Sequence, residues 1–470
     1  MITVLVLYAG CIGLFVLAWR TSMRGAFIAA PVIVFGLSEI RAGWPATIAE
    51  VAQNPYNLKP AIVMSMSFLT FMTCFILFFK CLGGSSARPA QFREAPVESP
   101  YSDRAHRFSI LAQVAVLVAA GTVLYQGAPP ILDALRTFFS PDQQTDAFVE
   151  LSRQRQSVTK GHVFEGDQWR GQGLISVLMR VGWTYAVVSA IVMYRRTRQR
   201  TWLLTCVVLG LLAMSYVGGV GERSPMVTVL LSIFFAISLM SRVRFRHVSV
   251  AFAIIAVFTV IIAPLSGRYT NVGSTTESAL KTAQRAFFGN GTNNIWIVYF
   301  VDNGAIDLGW GQLHQDKLAS ALPGVKDDSN FANQLIRLRP DSTSQVGNAS
   351  PTYFGLLFAD FGPIGTIVAY GAMGAVTALV QVGLFRRRKR AADVALVTGI
   401  TTAFIYLSVG TSVAVVVIGI ILAGVYGCDR LFLTLHGRRR DLGHRLVGRI
   451  PPSPLAGERV APERVPAGRA

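Results

Sequence analysis

Long apolar stretches recur along the whole chain and constrain its fold more than any other feature. The hydrocarbon core of a bilayer takes about 20 apolar residues per helix, and eleven stretches of the 470-residue chain approach or exceed this length. They cover residues 2–19, 26–43, 61–79, 108–126, 174–194, 202–218, 225–241, 248–267, 354–385, 393–409 and 413–431. Backbone polar groups find no water in lipid, so these stretches must be helices. The sequence therefore predicts an all-α polytopic membrane protein with about eleven transmembrane helices.

Two parts of this pattern need a further interpretation. The stretch 354–385 is too long for one simple span, and we expect a bend near Gly362 and Pro363, with the first turns in the outer interface. The last two stretches form one continuous apolar run. We divide that run at residues 409–412 (Val-Gly-Thr-Ser), which predicts two helices there.

The basic residues concentrate on one side of these spans. Lys and Arg number 44 against 25 Asp and Glu, a net charge of +19 that could suggest nucleic acid binding. However, much of this positive charge lies in the short loops on one side of the spans, at Arg20, Arg24 and in residues 195–200, 242–246 and 386–390. This is the positive-inside pattern of membrane proteins. It predicts a lipid bilayer and no nucleic acid as partner, with the N-terminus outside and the C-terminus in the cytoplasm.

Cysteine and histidine give no sign of a metal or disulfide framework. The five cysteines fall within spans or at their inner edges, and the six histidines are scattered. No Cys/His spacing typical of a metal site is found. We therefore expect no metal and no other cofactor.

The chain divides into six segments. They are residues 1–126 (N-terminal transmembrane helices), 127–173 (first outer loop), 174–267 (central transmembrane helices), 268–350 (large outer segment), 351–436 (C-terminal transmembrane helices) and 437–470 (tail). An outer segment of about 80 residues with helical periods predicts a small helical cap and not a loose loop. The tail is rich in Arg, Pro and Gly, which predicts a disordered, basic, cytoplasmic segment.

Three arginines near the outer surface are candidates for binding a negatively charged group. Arg223 lies on a glycine-rich turn that opens a helix, where backbone N–H groups and a guanidinium can hold phosphate oxygens. Arg180 lies about two turns inside a span, a position that usually faces a wet cavity. Arg268 follows the outer end of another span. Each also has a structural interpretation: pairing with Glu222 or interfacial anchoring for Arg223, snorkelling or a structural pair for Arg180, and interfacial anchoring for Arg268.

Other candidates lie around the chain's return to the membrane. Asp360 could act as a general base on a sugar hydroxyl, although a helix-end contact or an arginine partner also explains such a carboxylate. Arg337 and Arg339 end the cap and could bind substrate or simply form a solvated face. Tyr353 and Trp310 could stack on sugar rings, whereas interfacial aromatic belts are a commoner use of these residues.

As a set, four features resemble the bacterial O-antigen polymerases, the Wzy-type polymerases of oligosaccharide repeat units. The first is about eleven spans with one large outer segment before the last three. The second is the turn at 221–224 (Gly-Glu-Arg-Ser), similar to the family's Gly-x-Arg-Gly turn. The third is 309–311 (Gly-Trp-Gly) before 319–323 (Ala-Ser-Ala-Leu-Pro). The fourth is 350–355 (Ser-Pro-Thr-Tyr-Phe-Gly) with 360–365 (Asp-Phe-Gly-Pro-Ile-Gly).

The chain also departs from that family. Ser224 stands where the turn usually has glycine. Some members carry an Arg with a Gly eleven positions later in both outer loops. Arg155 and Gly166 fit this spacing in the first loop, and no such pair is found in the second.

The resemblance implies a fold similar to C-class glycosyltransferases and a location in the bacterial inner membrane. It implies that undecaprenyl-pyrophosphate-linked oligosaccharide is both donor and acceptor, and it leaves open whether a chain-length regulator binds. A departing pyrophosphate needs fixed positive charge, which Arg223, Arg180 and Arg268 could supply without a metal.

Two alternatives to the polymerase stay open. The related O-antigen ligases transfer a finished chain to lipid A core, and they usually carry a histidine in the large outer loop, a role that His314 could fill. A non-enzymatic polysaccharide exporter or flippase is the other. It would need a charged, water-filled path, and the sequence has few charges in mid-span.

Overall fold

A computed structural model describes residues 2–23, 30–125, 127, 129, 172–218, 223–242, 249–250, 253–254, 290–320, 338, 352–409 and 412–447. These residues are nearly all helical and form no β-strand, apart from one isolated bridge between Glu98 and Arg390. The helices are α1 Ile2–Ser22, α2 Pro31–Gln53, α3 Lys59–Cys81, α4 Arg88–Glu94, α5 Asp103–Tyr125, α6 Gln172–Thr197, α7 Arg200–Val217, α8 Arg223–Met240, α9 Asn290–Asp302, α10 Gln312–Ser320, α11 Tyr353–Phe385, α12 Ala391–Val409 and α13 Ser412–Val447.

Within this described part, seven helices are long and apolar enough to cross a membrane: α1, α3, α5, α6, α7, α11 and α13. Shorter apolar helices lie within α8 and α12. The prediction of an all-α, multi-pass membrane protein is therefore confirmed. The full number of spans stays a prediction, because the stretch 248–267 lies almost entirely outside the described residues.

The bundle is organised around α12. Residues 391–398 of this helix are all buried, and α12 packs against α2, α6, α8, α11 and α13. A helix that is apolar on every side is typical of such a central position. On the outer helices, large apolar side chains are exposed instead, including Leu5, Leu111, Leu211 and Ile420. An exposed apolar belt of this kind is suited to lipid.

α11 packs along the length of α3, and it bends where the sequence predicts. Gly362 has φ 66° and ψ −167° inside the helix, a left-handed conformation that favours glycine, and Pro363 follows it. The expected bend is thus confirmed. The division of the last apolar run is confirmed as well, because α12 ends at Val409, α13 begins at Ser412 and the two helices pack together.

Two helices extend beyond the boundaries predicted from the sequence. α2 continues to Gln53, so Glu39 and Arg41 lie in mid-helix and do not close a span at residue 43. α13 continues to Val447, beyond residue 437, where the sequence predicts a disordered tail. Extending an existing helix adds one hydrogen bond per ordered residue without a new nucleation cost, which permits a polar continuation.

The basic loops meet at one end of the bundle. The Arg242 guanidinium lies 2.8 Å from a Glu94 carboxylate oxygen, and Lys389 Nζ donates to the carbonyl oxygens of Arg93 (2.5 Å) and Ala95 (3.0 Å). Burial, and to a smaller degree the charge of Arg93, lowers the pKa of Lys389 to about 8. We call this the basic end.

The opposite end carries α9 and α10, which the structure describes between α8 and α11. Lys59 Nζ pairs with Asp302 at 2.5 Å, joining the start of α3 to the end of α9. The Thr352 hydroxyl donates to the Asn294 side chain at 2.9 Å, joining the start of α11 to α9. This grouping agrees with the alternation of loops predicted from the charge pattern.

Glu39 has a distant partner that the sequence does not reveal. Its Oε2 accepts a hydrogen bond of 2.7 Å from the Tyr370 hydroxyl on α11, 331 residues away. Its Oε1 is buried without a hydrogen-bond partner among the described residues. Arg41 lies two residues away on the same helix, but the hydrogen bond with Tyr370 joins α2 to α11.

We expect Tyr370→Phe to lower the free energy of unfolding by about 1–3 kcal/mol, because it removes a hydrogen bond from a buried carboxyl group. Tyr56→Phe is the matched control, since Tyr56 is 97% exposed. Thermal unfolding of both variants in one detergent measures the difference. Equal midpoints for the two variants would show that the bond to Glu39 contributes no stability.

Candidate functional site

Asp360 caps a helix from across the fold. It lies in the segment of α11 before the kink, and its side chain is fully buried. Oδ1 accepts the backbone N–H of Leu313 and Oδ2 accepts that of His314, both at 3.1 Å. These are N–H groups of the first turn of α10, which have no partner within their own helix and favour a negative charge.

The residues that precede α10 approach the Asp360 carboxylate closely. Gly309 N–H donates to the Ala359 carbonyl oxygen at 3.0 Å, and Trp310 N–H donates to that of Asp360 at 2.7 Å. A side chain at Gly309 would collide with Asp360 Oδ1, and Gly311 has φ +93°. The two glycines therefore permit the close approach and the turn that docks α10 on α11.

His314 and Asp360 also form a side-chain dyad. His314 Nδ1 is hydrogen-bonded to Asp360 Oδ2, and the ring lies 5.9 Å from that of Phe361. In the tautomer in which Nδ1 donates to the carboxylate, Nε2 is left as an acceptor. Nε2 is buried and has no hydrogen-bond partner among the described residues. The contact with Asp360 thus fixes the orientation of the imidazole ring.

A cleft lies between α6, α8, α12 and α13. It has a volume of about 80 Å³, and Arg180 is the charged residue among those that line it. Several hydroxyl groups accompany the guanidinium, those of Thr184, Tyr185, Thr228, Thr402 and Tyr406. Such a cleft can hold an anionic or hydroxyl-rich group in an otherwise apolar bundle.

The dyad and the cleft lie toward the same end of the bundle. Asp360 is in the early turns of α11, and Thr228 is in the second turn of α8, five residues after Arg223. α10 packs against both α11 and α13, and α13 contributes Ile418 and Leu422 to the cleft. This is the end opposite the basic loops.

The structure places the predicted site residues in different surroundings. Asp360 and Trp310 come together, and Trp310 is 75% exposed, as sugar stacking would require. Arg180 lines the cleft. For Arg223 the structure describes the backbone only, at the first residue of α8. Arg268, Arg337 and Arg339 lie outside the described residues.

Tyr353 is placed in the core and not on the surface. Only 3% of it is exposed, and its ring lies 5.2 Å from that of Tyr370 and 6.4 Å from that of Phe35. Burial of a large aromatic ring between helices is strongly favourable. In this structure the ring is not accessible to a sugar. Its burial gives no support to a role of Tyr353 in substrate binding, and that role stays a prediction.

The pairing of His314 with Asp360 was missed by sequence reasoning. The two residues are 46 positions apart. A signal was nevertheless available: the Gly-Trp-Gly turn at 309–311 precedes an apolar–polar helix start, whose free N–H groups require an acceptor. The helix-end interpretation of Asp360 is confirmed, and the histidine contact adds to it.

No known protein family, curated protein or solved structure matches this chain. Within the described ranges, no group of three or more His, Cys, Asp or Glu side chains could hold a metal ion. The candidate site therefore consists of a buried acid–histidine dyad and an arginine in a largely apolar cleft that also carries hydroxyl groups.

Proposed function

We propose that this protein is a membrane glycosyltransferase that polymerises lipid-linked oligosaccharide repeat units into a surface polysaccharide such as O-antigen, capsule or exopolysaccharide. The observation that carries the proposal is the His314–Asp360 dyad with its unpartnered Nε2. A base oriented in this way is what transfer of a sugar to a hydroxyl group requires. Apolar spanning helices provide the setting for a lipid-linked substrate.

The proposed reaction transfers a glycan from its lipid pyrophosphate. The acceptor hydroxyl oxygen bonds to the anomeric carbon of the donor while the bond from that carbon to the pyrophosphate oxygen breaks. The hydroxyl proton passes to His314 Nε2, and Asp360 stabilises the resulting imidazolium. The electron pair leaves with the lipid pyrophosphate, whose charge Arg180 and Arg223 stabilise.

The membrane location follows the same argument. The basic end lies in the cytoplasm under the positive-inside rule, which places the dyad and the cleft at the outer face of a bacterial inner membrane. We include in the proposal eleven spans, a helical extracytoplasmic cap, a periplasmic N-terminus and a cytoplasmic C-terminus.

The direct test is reconstitution. Purified protein in liposomes is incubated with undecaprenyl-pyrophosphate-linked repeat units from its host, and the products are separated on a gel. A ladder of lipid-linked multimers supports the polymerase. Single repeat units alone, in a preparation that remains folded, contradict a polymerase that works without another protein.

The second candidate is the O-antigen ligase, which the histidine in the outer segment favours. A ligase would use the same base on a hydroxyl of lipid A core. Adding lipid A core to the same liposomes separates the two, because transfer to core without a ladder indicates a ligase. Movement of lipid-linked units across the membrane without either product would indicate a flippase.

The two arginines proposed to stabilise the leaving group, Arg180 and Arg223, provide a prediction. Arg180→Gln and Arg223→Ala are each expected to lower the turnover number by about 10²–10³, since each removes positive charge from the leaving group. Arg223→Ala should leave single repeat units and no polymer.

Arg195→Gln is the matched control, because Arg195 is in the last turn of the same helix, α6, at the basic end. Initial rates with saturating lipid-linked substrate measure the effect. Unchanged rates in Arg180→Gln, or an equal fall in Arg195→Gln, would remove Arg180 from the mechanism.

A further inference from the structure

A second, smaller pocket lies at the basic end, between α3 and α11 and under the turn that leads to α4. Its polar lining comes from Gly83, Ser85, Arg88, Gln381 and Arg386, and its apolar walls include Phe79 and Phe385. It is on the far side of the membrane from the candidate site: about seven helical turns of α11 separate Asp360 from Phe385.

The buried side chain of Gln381 indicates that the pocket is suited to a polar occupant. Its side chain is fully buried in α11, and neither its Oε1 nor its Nε2 has a hydrogen-bond partner in the part of the chain that the structure describes. A buried amide without partners costs about 1–3 kcal/mol for each group left unsatisfied. Gln381 lines this pocket, so an occupant with hydrogen-bonding oxygens would satisfy it.

Two arginines stand at the mouth of the pocket. Arg88 and Arg386 are both exposed, and neither makes an ion pair with a described carboxylate. Arg386 donates to the Leu82 carbonyl oxygen at 2.6 Å, which holds its guanidinium beside the turn and leaves further N–H donors. Two guanidinium groups, of which that of Arg386 is held by a hydrogen bond, suit the oxygens of one phosphate.

The turn between them allows close approach. Gly83 has φ +66°, and a side chain placed there would point at Arg386 Nη2, 3.5 Å away. The enclosed space is about 10 Å³, enough for a single water-sized group. A phosphate would therefore lie at the mouth, with one oxygen or one bridging water reaching Gln381.

We propose that this pocket binds a phosphate group, that of an anionic phospholipid in the leaflet at the basic end. The position at the basic end, the apolar side chains in the pocket wall and the neighbouring arginines are what a lipid headgroup site requires. Inorganic phosphate has the same oxygen chemistry, so the experiment distinguishes the two sources.

The test measures ligand-dependent stability. Delipidated protein in a neutral detergent is titrated with phosphatidylglycerol, with phosphatidylcholine and with inorganic phosphate, and the unfolding midpoint and the bound lipids in native mass spectra are recorded. Arg88→Gln and Arg386→Gln should each weaken phosphatidylglycerol binding about tenfold. Arg388→Gln is the control: Arg388 belongs to the same basic run but does not line the pocket, and its loss should change affinity by about twofold or less.

Gln381→Met serves as a second variant should Arg386→Gln not fold. It should leave the midpoint without lipid unchanged or higher, because it removes an unsatisfied amide, and it should diminish the rise that phosphatidylglycerol produces. If Arg88→Gln weakens the response to phosphatidylglycerol but not to inorganic phosphate, the ligand is a lipid headgroup. If Arg88→Gln also weakens a response to inorganic phosphate, the phosphate comes from a soluble source. Equal losses in all three arginine variants, or equal responses to both phospholipids, would overturn the proposal.

Discussion

His314→Ala is expected to lower the turnover number by about 10²–10⁴, the range that general-base catalysis contributes. The change removes the nitrogen that accepts the hydroxyl proton, while the backbone N–H of His314 still donates to Asp360. The helix cap therefore remains, and the unfolding midpoint should change little. Initial rates in the liposome assay and thermal unfolding of the same preparation measure both effects.

Two further variants distinguish a catalytic from a structural role of His314. Gln315→Ala is the matched control, because Gln315 is the next residue of α10 and is exposed. Asp360→Ala should lower the rate and also destabilise the protein by about 1–3 kcal/mol, since two N–H groups of α10 lose their acceptor. Full activity in His314→Ala would rule out the dyad as the catalytic base. Lost folding in that variant would mean that the histidine is chiefly structural.

Gly374→Ala should destabilise the protein by about 2–3 kcal/mol, the cost of overpacking a close contact. A methyl group at Gly374 would overlap the Phe71 carbonyl oxygen of α3 and would lie 3.1 Å from the Phe75 amide nitrogen. Both of these atoms belong to backbone, so no side chain can move aside. Small residues at such positions are what lets membrane helices approach closely.

Gly383→Ala is the control for this second effect. It lies on the same helix, and nothing is within 4 Å of a side chain placed there. Its replacement should stabilise the helix by about 0.5–1 kcal/mol because glycine weakens helix interiors. Unfolding midpoints in detergent should therefore move in opposite directions. A shared direction would show that helix propensity, and not the contact with α3, governs Gly374.

The elements that could be predicted from the sequence are those that depend on local physics. Each apolar stretch must be helical in lipid whatever its neighbours, so α1, α3, α5 and the later spans could be predicted one by one. The kink at Gly362 could be predicted because glycine before proline disfavours a straight helix. Asp360 could be interpreted as a helix-end contact because a carboxylate is a common acceptor for free N–H groups.

Other features could not be predicted, because a tertiary contact decides between two equally local interpretations. An aromatic residue at the start of a span, such as Tyr353, can lie in an interfacial belt or in the core. Only the rings of Phe35 and Tyr370, far apart in sequence, place it in the core. Glu39 could pair locally, but the hydroxyl that bonds it belongs to α11.

By itself, the sequence determined that this chain is a helical, multi-pass membrane protein with an uneven distribution of charge, because hydropathy and loop charge act residue by residue. The tertiary structure alone decided which polar groups meet. His314 faces Asp360, Gln381 lies buried beside Arg386, and Arg180 lines a cleft of four helices. These contacts join residues on different helices, so their geometry exists only once the helices have packed.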